Sequence, residues 1–206
     1  KISTGELTKI RENTNRYTSW IFDHDDNLRM ATRSRMDGTN ELFRIDEDGE
    51  TLLYSWTVLE TAYPSAFQAD NTRFYLVSNV GDDANLTQLH IMNIETGEIE
   101  FVEKDPENLA DFGGLAISDK THEVLFTSYT DEYTRRYFKN EEFERHFNKV
   151  KEELGNKEIS FFSPTTDESQ WLVNAWSDTD PGSVYLYDKE NEELTFQYRP
   201  RPNIPT

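Results

Sequence analysis

Two adjacent guanidinium groups, Arg135 and Arg136, form the basic pair in this sequence best suited to hold a carboxylate. A planar guanidinium offers paired N–H donors that match the two carboxylate oxygens. The pair borders an irregular stretch of the chain and is a candidate contact for a substrate or a partner domain. The simpler alternative is two strand-edge arginines bonded to nearby acids, in a chain with 40 acidic residues. Other chemistry is sparse. No serine has glycine at both −2 and +2, so the nucleophile elbow is missing. His24, His90, His122 and His146 could join a triad only by converging in space, and their settings read as surface or structural. There is no phosphate-cradling Gly-x-x-x-x-Gly-Lys run and no dinucleotide fingerprint. No residue is therefore assigned to catalysis, to a cofactor or to a metal.

Three acidic loops need weighing. Asp23-His24-Asp25-Asp26-Asn27 offers oxygens at alternate positions, as a calcium loop does. It lacks the glycine at the sixth position and the distal glutamate, so a turn is the better reading. Gly81-Asp82-Asp83-Ala84-Asn85 and Ser177-Asp178-Thr179-Asp180-Pro181-Gly182 receive the same reading. Trp20, Trp56, Trp171 and Trp176 could form a carbohydrate platform, but their places in expected strands favour packing between sheets.

The elements that must position these residues follow from a repeat. Gln88–Val102 reads as strand, tight turn, strand, with Glu95-Thr96-Gly97-Glu98 at the tip. Similar tips occur at Thr4-Gly5-Glu6 and Asp48-Gly49-Glu50, with glycines 44 and 48 residues apart. A fourth, Lys189-Glu190-Asn191-Glu192, puts Asn191 where a residue tolerant of positive φ is needed. A second marker, an Asp-led turn followed by an apolar strand, begins at Asp25, Asp70, Asp119 and Asp167, at spacings of 45, 49 and 48. Two markers in phase point to one repeating unit of four short strands.

The expected fold is all-β: a β-propeller fragment of about four four-stranded antiparallel blades, with a period of about 48 residues. The expected blades are 17–57, 61–104, 111–158 and 159–199, with 1–10 as the last strand of a preceding blade. In the second blade the strands read as Tyr63–Ala69, Phe74–Asn79, Gln88–Ile94 and Ile99–Glu103. The third blade departs from the pattern, because Asn140–Leu154 reads as an added helix. Asn140 can cap it, Gly155 can stop it, and Phe143, Phe147, Val150 and Leu154 form one apolar stripe. Residues 200–206, with prolines at 200, 202 and 205, read as a connector to a further domain.

Composition narrows the partners. A net charge of −19 repels phosphate backbones, which argues against nucleic acid and anionic membranes. The absence of cysteine excludes disulfides and thiolate chemistry. No apolar run approaches the ~20 residues of a membrane span. The start, Lys1-Ile2-Ser3, reads as a cut within a longer protein, so cytoplasm and periplasm both stay open.

Three stretches carry a resemblance. Trp20-Ile21-Phe22-Asp23 with Leu28-Arg29-Met30-Ala31, the Tyr137-Phe138 step into the helix, and Asp180-Pro181-Gly182-Ser183-Val184-Tyr185-Leu186-Tyr187-Asp188 leading to Tyr198-Arg199-Pro200 make up the set. Together they resemble the propeller of prolyl-oligopeptidase-type (S9) serine peptidases, near the acylaminoacyl-peptidase and dipeptidyl-peptidase branch. The resemblance implies a non-catalytic propeller that gates peptide access to a separate α/β-hydrolase domain, which carries the triad and is not in this chain. The implied partners are that domain and, through it, a peptide; no cofactor is implied. Two other readings stand beside it: a free-standing TolB- or WD40-like interaction scaffold, and a small propeller lyase or lactonase using a central metal.

Four blades leave strand edges and apolar faces unpartnered, so the isolated chain is expected to self-associate. Light scattering at high concentration checks this, and a stable monomer is the contrary result.

Overall fold

The computed structural model describes residues 3–81, 85–155 and 157–204. The chain divides into two compact units, Lys1–Phe112 and Gly113–Thr206. The expected fold class is the one observed: short antiparallel strands in four sheets, each following chain order, with a single added helix among the described residues.

The first unit holds two four-stranded sheets. One comprises β1 (Ser19–Phe22), β2 (Leu28–Ser34), β3 (Asn40–Ile45) and β4 (Glu50–Trp56). The other comprises β5 (Ala62–Phe67), β6 (Arg73–Ser78), β7 (Gln88–Asn93) and β8 (Ile99–Glu103). Side chains alternate across a strand, so each sheet can offer one apolar face. Met30 and Leu42 of the first sheet pack with Phe67, Phe74, Leu76, Met92 and Ile94 around the second, all essentially buried. The opposite face of the first sheet carries Ala31 and Phe43, covered by Tyr17 from the segment before β1. Asn13 holds Tyr17 in place by accepting from its backbone N–H at 2.8 Å and donating to its carbonyl at 2.9 Å.

The second unit begins in β9 (Phe112–Ile117), which forms a three-stranded sheet with β10 (Val124–Thr130) and β11 (Thr134–Phe138). A Cβ on Gly113 would lie 2.9 Å from the Ser128 carbonyl oxygen, so only glycine permits this approach of β9 to β10. Helix α1 (Glu141–Glu153) comes next in the chain, at the point where the other sheets have their fourth strand. Asn140 caps it by accepting from Phe143 N, Leu154 ends it, and Gly155 follows at φ +56°. β12 (Glu158–Phe162), β13 (Gln170–Trp176), β14 (Ser183–Asp188) and β15 (Glu193–Tyr198) complete a four-stranded sheet. The stripe Phe143, Phe147 and Val150 is buried against Leu125 of the third sheet and Ile159, Trp171, Val173, Ala175 and Tyr187 of the fourth. No helix among the described residues is long and apolar enough to cross a membrane.

Several local expectations are corrected. Residues 3–10 contain a turn but no strand, and Leu7 and Ile10 are 95% and 76% exposed. A strand needs a ladder partner for its backbone groups, and none of the four sheets includes this segment. At the hairpin tips Gly5 and Gly97 take φ of +68° and +74°, but Gly49 stays outside the left-handed region. In the fourth tip Glu192, at φ +54°, occupies that region instead of Asn191. The Glu192 carboxylate accepts from both Arg145 and Lys149 on α1.

The outer strands share a feature that composition does not show. In β4, β8 and β15 the register skips one residue, at Leu53, Val102 and Gln197. Such bulges twist an edge and blunt its tendency to pair with another chain.

Phe147 is 4% exposed and its ring lies 5.2–6.4 Å from those of Phe126, Phe138, Phe143 and Phe161. Phe147→Ala is therefore expected to cost about 3–5 kcal/mol in denaturant unfolding. A loss under about 1 kcal/mol would show that α1 is not part of this core.

Candidate functional site

Arg135 and Arg136 are neighbours on β11, so their side chains leave opposite faces of the third sheet. Arg135 donates through Nη2 to Asp131 Oδ2 at 2.9 Å and through Nη1 to the Tyr137 hydroxyl at 3.3 Å. Arg136 donates to the Ile159 carbonyl at 3.3 Å and pairs with Glu158 at 3.6 Å, with its guanidinium 5.1 Å from the Phe147 ring centroid. The two groups do not converge into one fork. Asp131 and Glu158 are the nearby acids that a strand-edge role requires.

The Asp23 loop is organised as a turn. Asp23 Oδ1 accepts from the backbone N–H of Asp25 and Asn27 at 3.0 and 2.9 Å, and Oδ2 accepts from Arg29 at 3.0 Å. Burial opposes charge on Asp23, but the bonds from Asn27, Arg29 and Asp25 outweigh it and hold the carboxyl below the usual range. The turn also staples two sheets of the first unit. His24 N donates to Asn71 Oδ1 at 3.0 Å, and Asn71 Nδ2 donates back to Asp25 at 2.9 Å. The left-handed residue of each Asp-led turn recurs: Asp26, Asn71, His122 and Glu168, at φ of +53° to +61°. Asp82–Ala84 of the second acidic loop lie outside the described residues. In the third, Asp180 accepts from Gly182 N at 3.0 Å and from Lys157 Nζ at 2.6 Å. Among the described residues, no three His, Asp or Glu side chains are grouped to hold a metal ion.

The tryptophans serve packing. Trp171 lies in the core around α1, Trp56 packs on the core of the first unit, and Trp20 meets Tyr17 edge-on at 4.7 Å. Trp176 is partly buried beside the Ser177–Pro181 loop.

Two cavities lie between neighbouring sheets. In the first unit a space of about 300 Å³ is bordered by Ser19, Thr32, Asn40, Trp56 and Tyr63. In the second unit a space of about 280 Å³ opens where the turns before β10 and β13 meet the start of α1, with Phe143, Glu168 and Trp171 in its lining.

A buried polar cluster also sits in the second unit, around a histidine whose setting reads as surface or structural from sequence alone and proves structural. His146, 3% exposed, shares the buried side of α1 with the apolar stripe, three residues after Phe143. Arg145 Nη2 stands 2.9 Å from its Nε2, and the Tyr187 hydroxyl 2.7 Å from its Nδ1. An arginine can only donate, so Nε2 accepts and Nδ1 carries the proton and donates to Tyr187. Burial, then the charges of Arg145 and Lys189, hold the His146 pKa below its ordinary value, and burial pushes Tyr187 up to about 12. The signal was its i+3 place in the stripe, which a hydropathy pattern scores as polar.

Comparison with known proteins gives the chain its relatives. No family model matches. A dipeptidyl aminopeptidase BIII of Pseudoxanthomonas mexicana is 25% identical over 98% of this chain and 29% of its own length. Dipeptidyl peptidase family member 6 of Caenorhabditis elegans is 23% identical over 98% of this chain and 28% of its own. The chain thus spans under a third of the curated relatives it matches. Among solved structures, a puromycin-hydrolysing peptidase of Mycobacterium tuberculosis superposes over 98% of this chain and 32% of its own with a TM-score of 0.56 at 12% identity. Prolyl oligopeptidase B of Galerina marginata superposes over 88% of this chain and 27% of its own, with a TM-score of 0.52 at 11% identity. The resemblance to the propeller of prolyl-oligopeptidase-type peptidases is borne out by these relatives.

The histidine cluster makes stability depend on pH. The folded state binds the His146 proton more weakly than the unfolded chain, so the unfolded state takes up more protons as pH falls. The contribution is whole above an unfolded pKa of about 6.5 and is lost as pH drops from there through the folded value. Thermal unfolding is expected to shift downward between pH 7 and pH 5, and His146→Gln is expected to flatten that slope; an unchanged slope in the variant would remove His146 as the cause.

Proposed function

We propose that this chain is the non-catalytic propeller portion of a serine peptidase of the prolyl-oligopeptidase type, shaping and gating peptide access to a separate α/β-hydrolase domain. The observation that carries this reading is the match of nearly the whole chain to under a third of two peptidases. The geometry agrees with a non-catalytic part. The buried imidazole, His146, is engaged by Tyr187 and Arg145, and Asp23 and Asp180 accept from backbone N–H groups of their own turns.

In this reading residues 200–206 connect to the hydrolase domain. Arg135 and Arg136 serve as contacts to substrate or to that domain. Support for that role is partial exposure, 19% and 13% of the two side chains. A propeller lid admits thin, flexible chains and obstructs folded ones, so it selects by size before the chemistry begins.

The longer protein that carries this chain is expected to react with a fluorophosphonate and to cleave dipeptidyl aminomethylcoumarins much faster than a folded protein substrate. The 206-residue chain alone is expected to do neither. An inert longer protein, or equal cleavage of folded and short substrates, overturns the proposal in its first and second halves respectively.

A further inference from the structure

The cavity in the second unit contains a carboxylate without an adequate partner. Glu168 is 8% exposed and lines the space. Among the described residues its carboxylate accepts one long hydrogen bond, 3.4 Å from Lys120 N, and makes no ion pair closer than 4.0 Å. A carboxylate poorly bonded at the wall of an opening is where a cation is held.

The equivalent place in the first unit is closed. There the left-handed residue is Asn71, whose amide exchanges hydrogen bonds with His24 and Asp25 across the sheets, while Arg29 donates to its carbonyl at 2.9 Å. In the second unit the corresponding residue is Glu168, whose carboxylate accepts the long bond from Lys120 N across the turns. The space of about 280 Å³ replaces the plug.

The lining favours an organic cation over a bare ion. Phe143 and Trp171, each 6% exposed, give the space two aromatic walls, and a ring face attracts a positive charge. Trp171 is fixed in place, since its indole N–H donates to the Glu168 carbonyl at 3.2 Å. Glu123, Glu142 and Asp167 stand around Glu168 in the lining, against Lys120 and Lys189. Lys189 is paired with Glu142 at 3.1 Å, which leaves the lining net negative by two charges. The chain's net charge of −19 draws cations toward its surface.

We propose that this cavity binds the cationic head of a basic side chain, a guanidinium or primary ammonium presented by a peptide, with Glu168 as the charged partner. The site is independent of the assignment to a peptidase and involves no chemical step.

Calorimetric titration of the full chain tests it, using N-acetyl-arginine amide, putrescine and the uncharged N-acetyl-glutamine amide. Saturable binding of the arginine amide, weakened by salt and absent for the glutamine amide, is expected. Stronger binding of putrescine than of the arginine amide would overturn the peptide source. Glu168→Gln is expected to weaken binding roughly ten-fold or more, as loss of a charge-assisted hydrogen bond does. Glu168→Asn suits the left-handed backbone better and is expected to lose binding while the thermal midpoint is kept or raised, which a purely structural role would not produce. Unchanged binding in both variants, equal binding of the glutamine amide, or no saturable binding at all overturns the site.

Discussion

Each sheet of this chain has an apolar face that must be covered, and that requirement governs the rest of the structure. The strands are short, four to seven residues, and no two-stranded hairpin of this size holds together alone in water. In the first unit Met30 and Leu42 meet Phe74, Leu76 and Met92, so the faces of two sheets cover each other. Burying a large apolar side chain is worth about 1.5–3 kcal/mol. A handful of such contacts is what converts strands into sheets of fixed register.

The second unit meets the same requirement differently. Its third sheet has three strands, and α1 brings Phe143, Phe147 and Val150 between Leu125 on one side and Val173, Ala175 and Tyr187 on the other. A helix is thicker than a strand, and the aromatic content of the interface follows from that: Phe126, Phe138, Phe161 and Trp171 fill the space around it. The same insertion sets His146 in the interior beside Tyr187. It also draws Glu192 of the last hairpin to Arg145 and Lys149, pulling its pKa down to about 2 through those two cations. The open cavity beside Glu168 lies at the start of this helix.

Polar groups do their work at the turns. The Asp-led turns place Asp26, Asn71, His122 and Glu168 in the left-handed region, where Asn, Asp and His are ordinarily found and Glu is not. In the first unit the side chains of these turns bond across sheets. In the second a long bond from Lys120 N to Glu168 joins the corresponding turns. Local conformation repeats in both units, while the use made of it differs.

The repeat, the sheets of short strands, the helix between Asn140 and Gly155 and the resemblance to peptidase propellers were legible in the amino-acid order alone. These rest on interactions between residues close in the chain: alternation along a strand, a side-chain oxygen capping a helix, a glycine accepting positive φ at Gly97. Where backbone strain and charge are placed depends on contacts made in the folded chain. Gly49 stays outside the left-handed region while Glu192 enters it, with its carboxylate held by two cations forty-odd residues away. Arg135 and Arg136, adjacent in sequence, part to opposite faces of a strand because side chains alternate there. Leu53, Val102 and Gln197 become bulges through pairing with partner strands, and Glu168 comes to border the space at the start of α1. Interactions across tens of residues leave no period in a sequence, so they become visible only when the chain is folded.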